Sequence, residues 1–310
     1  TITQGQLIAL YNYMSQILVE LIKFANLILN ITKSVACAGR ISQVLETKSS
    51  MADGQDSLPA DAGAEEVSFR HVSFCYPGAG ADALTDITFS AAPGETVGVI
   101  GGTGSGKSSL VNLIPRFYDA TQGQVLVHGT DVRQLQLQSL RLAIGVVPQK
   151  ALLFSGTIRD NLLWGNPGAS DEELWNALRA AQAAEVVSGK TGGLDAEVEP
   201  GGRNFSGGQR QRLTIARALV RRPELLILDD SASALDFATD AALRKALREL
   251  SWHPAVFIIS QRTSSIRCAD QILVLDDGRL VGRGTHDTLL QSCPVYQEIY
   301  HSQYKKEDAQ

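Results

Sequence analysis

A glycine-rich loop between an apolar strand and a helix constrains the fold of this chain more than any other feature. Residues 101–108 read Gly-Gly-Thr-Gly-Ser-Gly-Lys-Ser, which fits the pattern G-x-x-x-x-G-K-[ST]. The run Thr96 to Ile100 before it is apolar, and a helical pattern starts at Ser109 after it. This order of strand, loop and helix lets backbone N–H groups close around a bound anion at a helix N-terminus. The sequence therefore predicts a phosphate-binding loop in an α/β domain.

The side chains of the loop suit a nucleoside triphosphate and its metal ion. We expect Lys107 to reach the β and γ phosphates and Ser108 to ligate Mg²⁺. The other residues expected to surround the nucleotide are Gly101, Gly102, Thr103, Gly104, Ser105, Gly106 and Ser109.

A second apolar run ends in two carboxylates. Leu225 to Leu228 is followed directly by Asp229 and Asp230. Acids at the carboxyl end of a buried strand lie where α/β sheets bind their ligands. Asp229 is therefore predicted to hold Mg²⁺, directly or through water.

Short β-rich runs alternate with helical patterns through most of the chain. The runs cover residues 67–74, 88–91, 96–100, 125–127, 144–147, 225–228 and 255–259. The later runs are apolar throughout, as strands are when both faces of a sheet are covered. This alternation predicts an α/β domain with a buried, largely parallel sheet.

The N-terminal segment has a different character. Leu7 to Ile31 contains only two charges, Glu20 and Lys23, which share one helical face and are expected to pair or to line a polar cavity. A helix from about Gln4 to Glu46 would extend roughly 65 Å, well beyond a hydrocarbon core of ~30 Å. We interpret it as a membrane-spanning helix with a cytoplasmic extension, with a long amphipathic soluble helix as the alternative. The start at Thr1, without a signal-peptide pattern, is expected for the tail of a longer protein.

Composition sets the domain boundaries and excludes some partners. Residues 48–64 are rich in Ser, Asp, Gly and Ala, which predicts a solvated linker between a helical segment, 1–47, and a nucleotide-binding domain, 65–305. The net charge of -5 argues against a nucleic-acid partner, because a phosphate-tracking surface needs excess Lys and Arg. The four cysteines are scattered without a C-x-x-C pair, so neither a zinc site nor a disulfide framework is expected.

Between the two phosphate-site elements lies a motif that identifies a family. Residues 204–212, Asn-Phe-Ser-Gly-Gly-Gln-Arg-Gln-Arg, closely resemble the signature motif of ABC ATPases. Tyr76 resembles the family's adenine-stacking aromatic residue, Gln149 its Q-loop glutamine and residues 231–236 its D-loop. The resemblance covers residues 65–300, and residues 38–45 resemble the junction between the last transmembrane helix and the ATPase of an exporter-type half-transporter.

The resemblance implies a P-loop ABC-type ATPase domain with a mixed sheet and a helical subdomain, preceded by a long transmembrane helix. It implies that ATP and Mg²⁺ bind here, with Gln149 both as a ligand of the metal ion and as a catalytic residue. It also implies that one group of residues contacts the ATP held by the opposite subunit of a dimer: Ser206, Gly207, Gly208 and Gln209.

Two positions depart from the family pattern. Asp230 stands where hydrolysis-competent members have a glutamate as general base, and Gln261 stands where they have the switch histidine. A shorter carboxylate and an amide that carries no proton at neutral pH predict slow turnover at this site. Since the signature motif is intact, we expect a heterodimeric exporter in which a related half-transporter provides the competent site. Glu199 is a candidate contact with the transmembrane domain.

The expected setting is the cell membrane, as a multi-pass protein in lipid with its ATPase domain in the cytoplasm and an unidentified transported substrate. Three alternatives stay open at this point. The chain could belong to a homodimeric exporter with ordinary hydrolysis, to a soluble ABC ATPase, or to a regulatory subunit that holds ATP without turnover.

Overall fold

The computed structural model describes residues 3–47, 49, 51–60 and 63–304. The chain divides into two compact units, Thr1–Ala52 and Asp53–Gln310. The helices are α1 Gln4–Glu46, α2 Lys107–Leu113, α3 Leu137–Ala143, α4 Ile158–Leu163, α5 Asp171–Ala180, α6 Ala184–Ser188, α7 Gly207–Leu219, α8 Phe237–Arg248, α9 Thr263–Ile266, α10 His286–Ser292 and α11 Pro294–Tyr304. The strands are β1 Val67–Phe74, β2 Leu84–Ala91, β3 Thr96–Gly101, β4 Gln122–Val127, β5 Thr130–Asp131, β6 Ile144–Val147, β7 Gly156–Thr157, β8 Glu197–Val198, β9 Leu225–Asp229, β10 Ala255–Ile259, β11 Gln271–Asp276 and β12 Arg279–Gly284.

The first unit contains one continuous helix. Helix α1 runs for 43 residues with the predicted bounds, and none of its described residues is buried within the chain. It is long and apolar enough to cross a membrane. Lys23 Nζ donates to Glu20 Oε1 at 2.8 Å, so the two charges of the apolar stretch neutralise each other on one face of the helix.

The second unit is built on a six-stranded sheet in the order β12-β11-β3-β10-β9-β6. Strands β11, β3, β10, β9 and β6 are parallel, and β12 is antiparallel to β11. Every residue of β3 and β10 is buried, as expected for strands that are apolar on both faces. The predicted buried, largely parallel sheet is confirmed.

A second, antiparallel sheet in the order β2-β1-β4-β5 covers one face of the first. The rings of Phe69 and Phe89 stack at 4.7 Å, and Phe89 lies 6.2 Å from Phe257 of the large sheet. These aromatic contacts join the two sheets into one core.

Helices α4, α5, α6 and α7 pack around a second apolar core. Leu162, Leu178, Val187 and Leu213 are buried in this cluster together with Phe205, which lies just before α7. Together the sheets and this helical region form the mixed α/β architecture that the family resemblance implied.

The predicted solvated linker is docked along residues 53–59. Asp56 N donates to Gln134 O at 3.0 Å and Asp56 O accepts from Gln136 N at 2.8 Å. Asp53 Oδ1 accepts from the amide of Leu137, the first residue of α3, at 2.7 Å. Periodicity gave no sign of this contact, because backbone groups and polar side chains make its hydrogen bonds and a single apolar residue of the segment, Leu58, packs against the core. We call residues 53–59 the strap.

Candidate nucleotide-binding site

The glycine-rich loop joins β3 to α2 by a sharp backbone turn. Gly104 and Gly106 have φ values of 82° and 93°, which a residue with a Cβ rarely adopts. Helix α2 begins at Lys107, two residues before the predicted start. Because α2 starts directly at the loop, its first N–H groups face the space that the loop encloses.

Lys107 lies inside this loop. Its Nζ donates to the carbonyls of Gly101 at 3.0 Å and Gly102 at 2.6 Å. Burial lowers the pKa of the Lys107 ammonium, and the carboxylates of Asp230 and Asp229 partly oppose that shift. A cation held among carbonyl oxygens in a half-enclosed loop is suited to bind phosphate oxygens.

The register of the parallel strands brings the polar residues to one sheet edge. Asp229 is the last residue of β9 and pairs with Ile259, the last residue of β10. Gln261 follows two residues after Ile259, and Gln149 follows two residues after the end of β6. Motifs up to 160 positions apart in sequence therefore meet at the carboxyl end of one sheet.

Hydrogen bonds connect these side chains. Ser108 Oγ donates to Asp229 Oδ1 at 3.1 Å, and Gln149 Nε2 donates to Asp230 Oδ2 at 3.2 Å. Burial raises the pKa of Asp229, the Ser108 bond lowers it, and repulsion from Asp230 raises it further. A partly buried carboxylate beside a hydroxyl fits the oxygen ligands that Mg²⁺ prefers.

The residues enclose a cleft of about 190 Å³. Its lining contains four of the nine predicted loop residues, all three predicted metal ligands and all three predicted catalytic residues: Thr103, Gly104, Lys107, Ser108, Gln149, Asp229, Asp230 and Gln261, together with Ile259 and Ser260. The geometry thus brings a cation, two carboxylates, two amides and a serine hydroxyl around one small space.

Tyr76 and Ser109 lie behind the loop and contact each other. Tyr76 Oη and Ser109 Oγ are 2.9 Å apart, and Ser109 is buried. The Tyr76 ring packs edge-on against Phe74 at 4.7 Å and Tyr118 at 5.2 Å. Ser109 thus directs its hydroxyl to Tyr76 and is not part of the cleft lining. Sequence reading missed Tyr118, which no motif marks.

The signature residues form a separate feature at the head of α7. Ser206 caps the helix by accepting from Gln209 N at 3.3 Å, and Gln209 Oε1 accepts from Ser206 N at 3.0 Å. Ser206 and Gly207 are exposed, and residues 206–209 do not line the cleft. This exposed helix N-terminus is open to an anion from outside the chain.

Two residues that sequence reading missed hold the segment around Gln261. Arg262 donates through its guanidinium to the carbonyls of Ser233 and Leu235, each at 3.3 Å. Gln303, on α11, donates to Gln261 O at 2.6 Å. Both contacts join a side chain to a backbone carbonyl, and the Gln303 contact bridges 42 positions, so no local pattern could reveal it.

The chain is similar in sequence to a known family and to several known proteins. Residues 84–233 match the family model described as ABC transporter. An uncharacterized ABC transporter ATP-binding protein of Mycobacterium bovis is 45% identical over 303 residues, covering 96% of this chain and 52% of that protein. A multidrug efflux ATP-binding/permease protein of Mycobacterium bovis is 39% identical over 299 residues, covering 96% of this chain and 25% of that protein.

A solved structure is also similar. The structure of a bacterial Atm1-family ABC exporter with ATP bound has a TM-score of 0.83 and 33% sequence identity, covering 97% of this chain and 53% of that one. The chain thus spans about half the length of this exporter and of the first curated relative, and a quarter of the second.

Proposed function

The chain carries an ABC transporter ATP-binding domain, and from that premise we propose that it is the motor end of an exporter-type half-transporter. It would bind ATP with Mg²⁺ and couple ATP binding and hydrolysis to movement of a substrate across a membrane. The observation that carries the proposal is the cleft in which Lys107, Ser108, Asp229, Asp230 and Gln149 converge. Helix α1, which is long and apolar enough to cross a membrane, supports the assignment to a transporter.

Each cleft residue has a role set by its chemistry. Lys107 and the loop N–H groups would bind the β and γ phosphates. Ser108 and Asp229, already 3.1 Å apart, would hold Mg²⁺, with the amide of Gln149 beside them. Asp230 and Gln261 would face the attacking water. Tyr76 would contact the adenine ring of ATP.

We further propose that hydrolysis at this cleft is slow. Relative to glutamate, Asp230 withdraws its carboxylate by roughly one carbon–carbon bond, ~1.5 Å, and a general base must lie within about 3 Å of the proton that it removes. Its Oδ2 is also occupied by the Gln149 amide. Gln261 can bind a phosphate oxygen or water but stays neutral where a histidine would take up a proton.

An intact signature beside a weak catalytic centre favours a heterodimer. The capped N-terminus of α7 is exposed and lies away from the chain's own cleft, so its natural ligand would be ATP bound by a second subunit. We propose that Ser206 to Gln209 complete the competent site of a related half-transporter. ATP in this chain's cleft would then persist and stabilise the closed dimer.

Coupling to the membrane domain would use Gln149 and a separate exposed aromatic pair, Phe154 and Trp164. Phe154 and Trp164 stack at 4.9 Å although 41% and 65% of their areas are exposed. An exposed aromatic pair of this kind is typical of a contact site. Glu199 is also exposed and remains a candidate contact.

The test is ATP hydrolysis by the full chain in lipid nanodiscs, alone and co-assembled with a related half-transporter. Asp230→Glu combined with Gln261→His should raise the turnover of the chain alone by roughly 100-fold or more, the usual contribution of a positioned acid or base. The partner should raise turnover without either substitution.

A matched control separates catalysis from backbone effects. Asp277 has φ 43°, close to the 46° of Asp230, and it is exposed in the β11–β12 turn. Asp277→Glu with Gln291→His, both on the surface, should leave turnover unchanged. Full activity of the unmodified chain alone would mean that Asp230 suffices as base and that a homodimeric exporter is the correct assignment.

A further inference from the structure

One side chain of α11 makes three hydrogen bonds to the segment that carries Gln261. We call residues 260–263 the switch segment. Gln303 Nε2 donates to Gln261 O at 2.6 Å. Gln303 Oε1 accepts from Thr263 N at 3.0 Å and from Thr263 Oγ1 at 2.9 Å. The amide thus uses both of its ends on one short stretch of chain.

Helix α11, which carries Gln303, is packed into the core of the domain. Tyr296 on the same helix is fully buried, and its Oη lies 2.8 Å from His286 Nδ1. Thr263, the residue that Gln303 holds, is also buried. Because one end of the contact is fixed in the core, the three bonds determine the path of the backbone through Gln261.

On its other side the switch segment is joined to the D-loop. Arg262 donates to the carbonyls of Ser233 and Leu235, and its guanidinium lies 5.4 Å above the Phe237 ring. Ser260 Oγ accepts from Arg262 N at 3.0 Å. Gln303 thus holds the backbone of Gln261 and Thr263, and the D-loop carbonyls hold Arg262. The side chain of Gln261 is exposed.

We infer that Gln303 is a positioning residue for the ATP site, acting through the backbone of Gln261. This inference rests on the proposed function, since it concerns the side chain that faces the terminal phosphate there. The donor end of the amide fixes the Gln261 carbonyl, and the acceptor end fixes the start of α9. Helix α11 thereby becomes part of the machinery that sets turnover, although it contributes nothing to the cleft lining.

Two substitutions separate the ends of the amide. Gln303→Glu keeps an acceptor for the two Thr263 donors but replaces the donor to Gln261 O by a carboxylate, which that carbonyl repels. Gln303→Met has a similar length and loses all three bonds. Ser302→Ala is the control, because Ser302 is exposed and its hydroxyl bonds only to Ile299 O of its own helix among the contacts described.

The experiment measures kcat and KM for ATP in the full chain alone, where turnover comes from its own cleft, together with hydrogen exchange at the Thr263 amide. We expect both Gln303 variants to lower kcat roughly 10-fold, because each loses the bond to Gln261 O, with KM changed less than about 2-fold. Exchange at Thr263 should accelerate in Gln303→Met and stay slow in Gln303→Glu. Ser302→Ala should match the unmodified chain.

A second background distinguishes positioning from general stability. With Gln261→Ala already present, Gln303→Glu should lower kcat no further, because the positioned side chain is gone. An unchanged kcat in Gln303→Glu, or an equal fall in the Gln261→Ala background, would overturn the inference. If the unmodified chain binds no ATP and shows no turnover with any partner, the proposed function fails, while Thr263 exchange still decides whether Gln303 holds the switch segment.

Discussion

Removal of one buried histidine should change how the stability of this protein depends on pH. His128 lies in the turn after β4, and its side chain is 2% exposed. Its Nε2 lies 3.0 Å from Glu66 Oε1 and 3.3 Å from Glu224 Oε2, and its Nδ1 lies 2.6 Å from the carbonyl of Pro59 in the strap. These partners raise the pKa of His128 to about 9, with the Glu66 hydrogen bond as the largest cause and burial opposing it.

The size of the effect follows from linkage. A pKa raised from 6.5 to about 9 in the folded state means that stabilisation is fully present below pH 6.5 and lost as pH rises through 9. Between these values the folded protein holds one proton that the unfolded chain has released, so the free energy of unfolding should fall by about 1.4 kcal/mol per pH unit. From pH 6 to pH 9 the total loss is roughly 3 kcal/mol.

The assay is urea unfolding of His128→Asn and of the unmodified protein, in detergent at several pH values from 6 to 9.5. Asn tolerates the left-handed backbone at this position, where φ is 49°, but does not titrate. The stability difference between the two proteins should be about 3 kcal/mol larger at pH 6 than at pH 9.5. The exposed His253, with φ 42°, provides the control His253→Asn. A difference that is the same at all pH values would refute the reasoning.

Two further substitutions test the strap and the signature helix. A Cβ at Gly54 would lie 2.1 Å from the carbonyl oxygen of Gln134, so Gly54→Ala should displace the strap and accelerate hydrogen exchange at the Asp56 amide. The control Gly80→Ala, whose Cβ would meet nothing within 4 Å, should leave that exchange unchanged. Equal exchange at the Asp56 amide in both variants would contradict the docking of the strap. Ser206→Ala removes the helix cap and should lower the free energy of unfolding by about 1 kcal/mol in the same urea assay, with Ser206→Asp restoring it; no loss would mean that the cap contributes nothing.

The apolar strands could be predicted because burial on both faces leaves a continuous signal. Strands β6 and β10 have the predicted bounds, and β9 exceeds its prediction only by Asp229. Strand β12 gave no such signal, since none of its residues is fully buried and its sequence is Arg-Leu-Val-Gly-Arg-Gly. The second sheet was also missed as a separate layer, because antiparallel pairing is specified by partners and not by composition.

The candidate site also contains some residues that the sequence could predict and others that it could not. Residues that carry chemistry at fixed spacing, such as Lys107 and Asp229, could be predicted and do meet in the cleft. Gln303 and Arg262 could not, because each acts by bonding backbone carbonyls that every residue possesses. His128 could not be predicted as a partner of two carboxylates either, because they are 62 and 96 positions away in sequence.

The left-handed backbone of Asp230 bears on how such a site can arise. Its φ of 46° lies in a region that aspartate visits more readily than glutamate, because the shorter side chain can bond to nearby backbone. In a lineage where the partner performs the hydrolysis, a change from glutamate to aspartate here would relieve backbone strain and remove the general base at the same time. The reverse change would bring back both the general base and the strain. A return from aspartate to glutamate at position 230 would therefore have to reintroduce backbone strain together with the base, so a slow site of this kind would be easier to acquire than to undo.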